Sequence, residues 1–124
     1  MKLLAYLPED DIKELARLCL SLLQTNNKTI IVVESTDTAH IISDVFWKLH
    51  KFLPHGIIGE KFADIQPIII SNKIQNYPNI IYYKFMPDSI LSVDCECLVL
   101  WNYSGAIDPS FTVYKQNSGA WIKL

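Results

Sequence analysis

Arginine is all but missing from this chain: Arg17 is the only one among 124 residues. The remaining cations are scattered lysines with no run among them, and the formal net charge is −2. A protein that grips nucleic acid by its phosphates needs a basic patch, so direct DNA or RNA binding is not expected. Glycine is scarce too, with four in the chain, and none stands where a phosphate cradle would need one. Such a cradle uses glycines after the first strand so that backbone N–H groups can approach the phosphates. Here that turn reads LPEDD, and the turn after the second strand reads ESTDT. Neither a G-x-G-x-x-G nor a Walker pattern occurs, so no nucleotide cofactor is expected. The three cysteines, Cys19, Cys95 and Cys97, are odd in number and lack framework spacing, which excludes a secreted disulfide scaffold. Cys95 and Cys97 form C-x-C without a second pair, and the histidines are not at ligand spacing, so no metal is expected. No apolar run approaches membrane-spanning length. The opening MKLLAYLPEDD turns acidic before a leader core can develop. A cytoplasmic protein without membrane contact is the expectation.

What is present is a core. Half of the residues are hydrophobic, enough for one domain over residues 1–124. KLLAYL (2–7) reads as a strand ended by Pro8. The acids Glu9, Asp10 and Asp11 then suit a helix N-terminus, where free N–H groups and the helix dipole favour negative charge. Ile12, Leu15, Ala16, Cys19, Leu22 and Leu23 recur at helical spacing. TIIVVE (29–34) is β-branched and apolar on both faces, as in a central strand of a parallel sheet. STDT supplies cap candidates for a second helix with the stripe Ile41, Ile42, Val45, Phe46 and Leu49, ending before Pro54. PIIIS (67–71), NIIYYKF (79–85) and ECLVLW (96–101) read as further strands, and MPDSILSVDC between the last two as a loop with a short helical turn. The order predicts an α/β three-layer sandwich around a mostly parallel sheet, Rossmann-like without a phosphate-binding loop. The tail is open between helix and strand. Asp108-Pro109 could start a helix, but Ser110, Thr112 and Val113 are mediocre helix formers and Gly119 would stop it.

FWKLHKFLPHGIIGE (46–60) is the least generic stretch. A general base needs an orienting carboxylate, and Glu60 and Asp64 are the nearest acids to His55 in sequence. The blander reading has His55 hydrogen-bonding the backbone of a Pro-His-Gly turn. His40 and His50 read as surface residues on the second helix. Trp47 falls off the main apolar stripe of that helix. It either anchors a partner or covers the sheet edge.

DVFWKLHKFLPHG (44–56) resembles the D-x-x-L-W…F-x-P-H-G stretch of the chi subunit of bacterial DNA polymerase III. Asp44, Trp47, Phe52, Pro54, His55 and Gly56 carry the likeness, with Phe46 where the family has leucine. Tyr6, KTIIVVEST, QPIIIS and CLVLW extend it over roughly residues 1 to 105. The resemblance implies a non-catalytic accessory subunit of the polymerase assembly whose fold is similar to nucleotide-binding α/β proteins. It implies binding to the C-terminal tail of single-stranded-DNA-binding protein and, in some bacteria, to a small clamp-loader subunit, psi. Trp47, Phe52, Pro54 and His55 are then partner-surface candidates. Chi proteins usually end in an Arg-rich helix, A-R-x-R-x-x-x-Y. Here Tyr114-Lys115 followed by Gly119 resembles the family's Tyr-basic…Gly ending, with one extra residue. The tail site is therefore expected at Tyr114 and Lys115, with Lys123 beside Trp121 and Ile122 as a second, weaker pairing. The alternatives are a chi-fold protein with a decayed tail site serving another partner, and a small α/β enzyme using His55 with Glu60 or Asp64.

Overall fold

The computed structural model describes residues 2–25, 27–49, 53–61, 63–87 and 95–124. The elements are β1 (Lys2–Leu7), α1 (Asp11–Leu23), β2 (Thr29–Val32), α2 (Thr36–Lys48), β3 (His55–Ile57), β4 (Ile68–Ser71), β5 (Asn79–Tyr83), β6 (Cys97–Trp101), β7 (Thr112–Asn117) and β8 (Ala120–Lys123), with a 3₁₀ turn at Ala63–Ile65. The strands form one sheet in the order β3-β4-β2-β5-β6-β1-β7-β8. All neighbours are parallel except β7 and β8. This is the expected α/β architecture with a mostly parallel sheet.

Chain direction explains the layers. The crossovers β1–α1–β2 and β2–α2–β3 both travel toward the β3 edge. Right-handed crossovers in one direction place their helices on one face. Leu15, Ala16 and Cys19 of α1 and Ala39, Ile42 and Phe46 of α2 accordingly share one core with Ile31, Ile70, Ile81, Val99 and Trp101. The return path from β4 to β7 runs over the opposite face. There the third layer is made of connecting segments: Tyr77, Phe85, Met86, Tyr103, Ile107 and Phe111 pack on Ile30, Val32, Ile80, Tyr82, Leu98 and Leu100. The central strands are apolar on both faces because both faces are covered.

Local chemistry sets the helix ends. The Asp10 carboxylate accepts from Lys13 N at 3.3 Å and the Ser35 hydroxyl accepts from Thr38 N at 3.2 Å, as N-caps do. Burial of Cys19 pushes its thiol up to about 12, so it is an inert core residue. Ile41, expected in the α2 stripe, is 57% exposed. The buried line is Ala39, Ile42, Ser43 and Phe46, and Ile41 lies about 100° round the helix from Ile42.

One local expectation is corrected and one open question is answered. The Pro-His-Gly segment is not a turn. His55–Ile57 pairs in parallel with Ile68–Ile70 as the edge strand β3. The C-terminal segment is a β-hairpin rather than a helix. Asn117 pairs with Ala120 across Ser118 (φ 52°) and Gly119 (φ 82°), and two successive left-handed residues make the turn that matches strand twist. The helical turn expected within residues 86–95 falls mostly outside the described residues.

Candidate functional site

In a nucleotide-binding α/β protein, the carboxyl ends of the strands and the N-terminus of the first helix receive phosphate. Here that place is filled by Asp11. Its carboxylate accepts from the Tyr83 hydroxyl, from the Trp101 indole N–H at 3.1 Å and from the Asn102 amide at 3.3 Å, and it pairs with Lys84 Nζ at 2.9 Å. Burial pushes the Asp11 carboxyl up, but the hydrogen bonds from Tyr83 and Lys84, the Lys84 charge and the Asn102 amide outweigh it. On balance the carboxyl is held below its ordinary value. Burial, then the hydrogen bond and charge of Asp11, push the Tyr83 phenol well above its ordinary value. Lys84 and Asn102 both have positive φ, 64° and 52°, where β5 and β6 end and their side chains reach Asp11.

The 46–60 stretch forms a surface beside an open cavity of about 380 Å³ lined by Trp47, Pro54, His55, Gly56, Glu60 and Gln66, among others. His55 is buried and both ring nitrogens are engaged. Nδ1 lies 2.7 Å from the Leu53 carbonyl, which can only accept, so Nδ1 carries the proton. Nε2 then accepts from the Ser43 hydroxyl at 2.9 Å. The ring sits between Phe46 and Trp47, at 5.2 and 4.8 Å between centroids. Glu60 does not orient it: Glu60 Oε1 accepts from Ile57 N at 2.8 Å and closes the loop after β3. The geometry is that of a histidine tied to α2 through Ser43 and to its own approach segment through the Leu53 carbonyl. Trp47 is 61% exposed, with its ring tilted against His55. Phe52 and the side chain of Asp64 lie outside what the structure describes.

The C-terminal candidates are partly separated. Successive strand residues point to opposite faces, so Tyr114 and Lys115 lie on opposite faces of β7. Tyr114 is opposite Tyr6 of β1 and Lys123 of β8, whereas Lys115 is opposite Leu7 and Ile122 on the other face. On the helix-bearing face, Tyr6 stacks on Tyr114 at 5.4 Å and meets Trp121 edge-on at 5.4 Å. Trp121, 38% exposed, also contacts Trp101 at 6.4 Å. Lys123 is the hairpin's cation on that face. Glu9 braces the hairpin: its carboxylate accepts from Gly119 N at 2.7 Å and Ser118 N at 3.2 Å, and its own N–H bonds Gln116 Oε1 at 2.9 Å. Tyr6 was legible as part of the opening strand, but its place at the centre of the aromatic group depends on which strand pairs with β1. Among the described residues, no group of three His, Cys, Asp or Glu is placed to hold a metal ion, and no helix is long and apolar enough to cross a membrane.

A search of curated proteins and a search of solved structures found no match. A family model described as DNA polymerase III chi subunit, HolC, matches residues 4–95. The match runs from within β1 through β5 and takes in the whole Trp47–Gly56 segment. The β7–β8 hairpin lies beyond it. With most of its length covered, the chain belongs to the DNA polymerase III chi subunit family.

Proposed function

We propose that this chi-family accessory subunit links the clamp loader to single-stranded-DNA-binding protein by holding that protein's acidic, apolar-ended C-terminal tail on the helix-bearing face of the C-terminal hairpin. The observation that carries this reading is the placement of Lys123 across from Tyr114 on the same face as Tyr6 and Trp121. A cation beside an aromatic surface suits a carboxylate attached to an apolar side chain. Thr112–Lys123 contains two lysines and no acid in a chain whose 13 acids outnumber its 11 basic residues. Lysine offers a point charge where the family uses the bidentate fork of arginine, so affinity is modest. It falls with added salt, because exposed charges are screened beyond about 8 Å at physiological ionic strength.

Calorimetric titration with the tail peptide tests the site. Lys123→Glu is expected to weaken binding at least about tenfold, the equivalent of ~1.4 kcal/mol. Lys115→Glu, on the opposite face, should cost much less. Equal losses, or a larger loss at Lys115, would move the site to the other face.

The second surface, Trp47 with Pro54 and His55, is proposed to dock the clamp-loader side, a psi-like subunit where one exists, and Phe52 belongs to the same stretch of sequence. Trp47 is largely exposed and its ring lies tilted against a fixed imidazole, an arrangement suited to an interface anchor. Trp47→Ala is expected to leave the melting temperature nearly unchanged and to weaken assembly with clamp-loader subunits by about 2 kcal/mol. A large fall in melting temperature with assembly intact would make Trp47 a structural cover instead.

A further inference from the structure

Among the described residues, the sheet ends on an unpaired edge. β8 is last in the strand order, and all four of its residues are exposed. Leu124 N donates to Val113 O at 2.9 Å, which fixes the phase of the β7–β8 ladder. In an antiparallel pair, hydrogen-bonded and non-hydrogen-bonded residues alternate. Ala120, Ile122 and Leu124 therefore bond inward to β7. The backbone N–H and C=O groups of Trp121 and Lys123 point away from the sheet. These two residues also carry the aromatic ring and the hairpin's cation on the helix-bearing face. Ile122 and Leu124, both exposed, stand on the opposite face of the same edge.

We infer that β8 receives an acidic, extended peptide as a ninth strand, with main-chain hydrogen bonds to Trp121 and Lys123. The occupant follows from charge and shape. Thr112–Lys123 has lysines on both faces, at Lys115 and Lys123, and no acid. An added strand places alternate side chains on the two faces. Its acids lie beside Lys123, and its apolar residues beside Trp121 on one face and Ile122 on the other. A second copy of this chain fits less well. A strand of four residues supplies a small contact against the ~1,000 Å² expected of a stable interface, and a second copy brings the same lysines. The inference rests on the tail-binding reading above and specifies its mode: backbone pairing at the edge, rather than side-chain capture on the face alone.

The test uses the full chain and the acidic tail peptide of the DNA-binding protein, methylated at one backbone nitrogen at a time. Strand addition predicts an alternating response. Methylation at residues whose N–H points to β8 weakens binding about tenfold or more, and methylation at the intervening residues has little effect. In parallel, Lys123→Pro is compared with Lys123→Ala. Both remove the charge, but only proline removes the outward N–H, which β7 does not use, so the fold is retained and binding falls further. A response without alternation, together with equal affinity in the two variants, overturns strand addition while leaving the tail site standing. Absence of binding by the unmodified protein overturns both. Concentration-dependent dimerisation broken by Lys123→Pro would give the edge to a second copy and overturn the peptide.

Discussion

Asp11→Ala is expected to destabilise the fold by about 3 kcal/mol at neutral pH. The carboxylate accepts hydrogen bonds from Tyr83, Trp101 and Asn102 and pairs with Lys84. Trp101 is fully buried, so its indole N–H loses its carboxylate acceptor and keeps only a longer contact of 3.2 Å to the Asp11 carbonyl. Hydrogen bonds to a charged acceptor are worth about 1.5–3 kcal/mol, and the hydroxyl of buried Tyr83, left without its acceptor, costs about 1–3 more. The Lys84 pair adds little, since Lys84 is half exposed and screened. The pH dependence has a definite sign. The folded carboxyl titrates below the ordinary value of 3.8, so its contribution is complete above that value. It is lost as pH falls through the lower folded value. Asp11→Asn keeps an acceptor for Trp101 but has no proton to take up, so its stability should fall less steeply below about pH 4. Urea midpoints of the three proteins at pH 7 and pH 3 provide the check. Parallel pH profiles for the parent and Asp11→Asn would remove Asp11 from the acid response.

The same residue shows where sequence reasoning stops. Asp11 was visible as one acid among three at a helix start, which is a local argument. Its partners Tyr83 and Asn102 lie 72 and 91 residues further along the chain, and only the strand order brings them to it. The central strands were legible because Ile30–Val33, Ile68–Ile70 and Leu98–Trp101 are buried on both sides, and such runs need no partner to be recognised. The hairpin was not legible. Thr112–Asn117 mixes exposed, half-buried and buried residues, so its period is weak, and the turn declares itself only through the paired left-handed Ser118 and Gly119. Tyr114 and Lys115 are neighbours in the chain, yet as successive strand residues they point to opposite faces, which the residue order alone did not show. The Trp47–Gly56 segment was the reverse case. Its likeness to the chi family was clear, while the physical reason for its glycine lay in another part of the fold.

That glycine carries the other large effect. Gly56 is the middle residue of β3, opposite Ile69. A Cβ added there would lie 2.9 Å from Ala63 Cα, 3.1 Å from Ala63 Cβ and 3.4 Å from Gln66 Cγ. The nearest obstacle is backbone, which cannot swing aside as a long side chain could. Gly56 therefore serves close approach: the 3₁₀ turn Ala63–Ile65 rests directly on β3. Gly56→Ala gains about 0.4–1 kcal/mol from a stiffer unfolded chain, but overpacking costs about 1–3 kcal/mol, so the net is a loss. Gly56→Val should cost about 3 kcal/mol and push the turn away from the cavity beside Trp47 and His55. Gly59, three residues on, supplies the contrast. It has a φ of +91° and no atom within 4 Å of an added Cβ, so its requirement is conformational. Asparagine tolerates left-handed backbone better than other side chains do. Gly59→Asn should accordingly lose less than about 1 kcal/mol, while Gly56→Asn, which relieves no clash, should lose as much as Gly56→Val. Denaturant midpoints of the four variants decide between crowding and conformation. If asparagine were tolerated equally at both positions, contact with Ala63 would not be what holds position 56 to glycine.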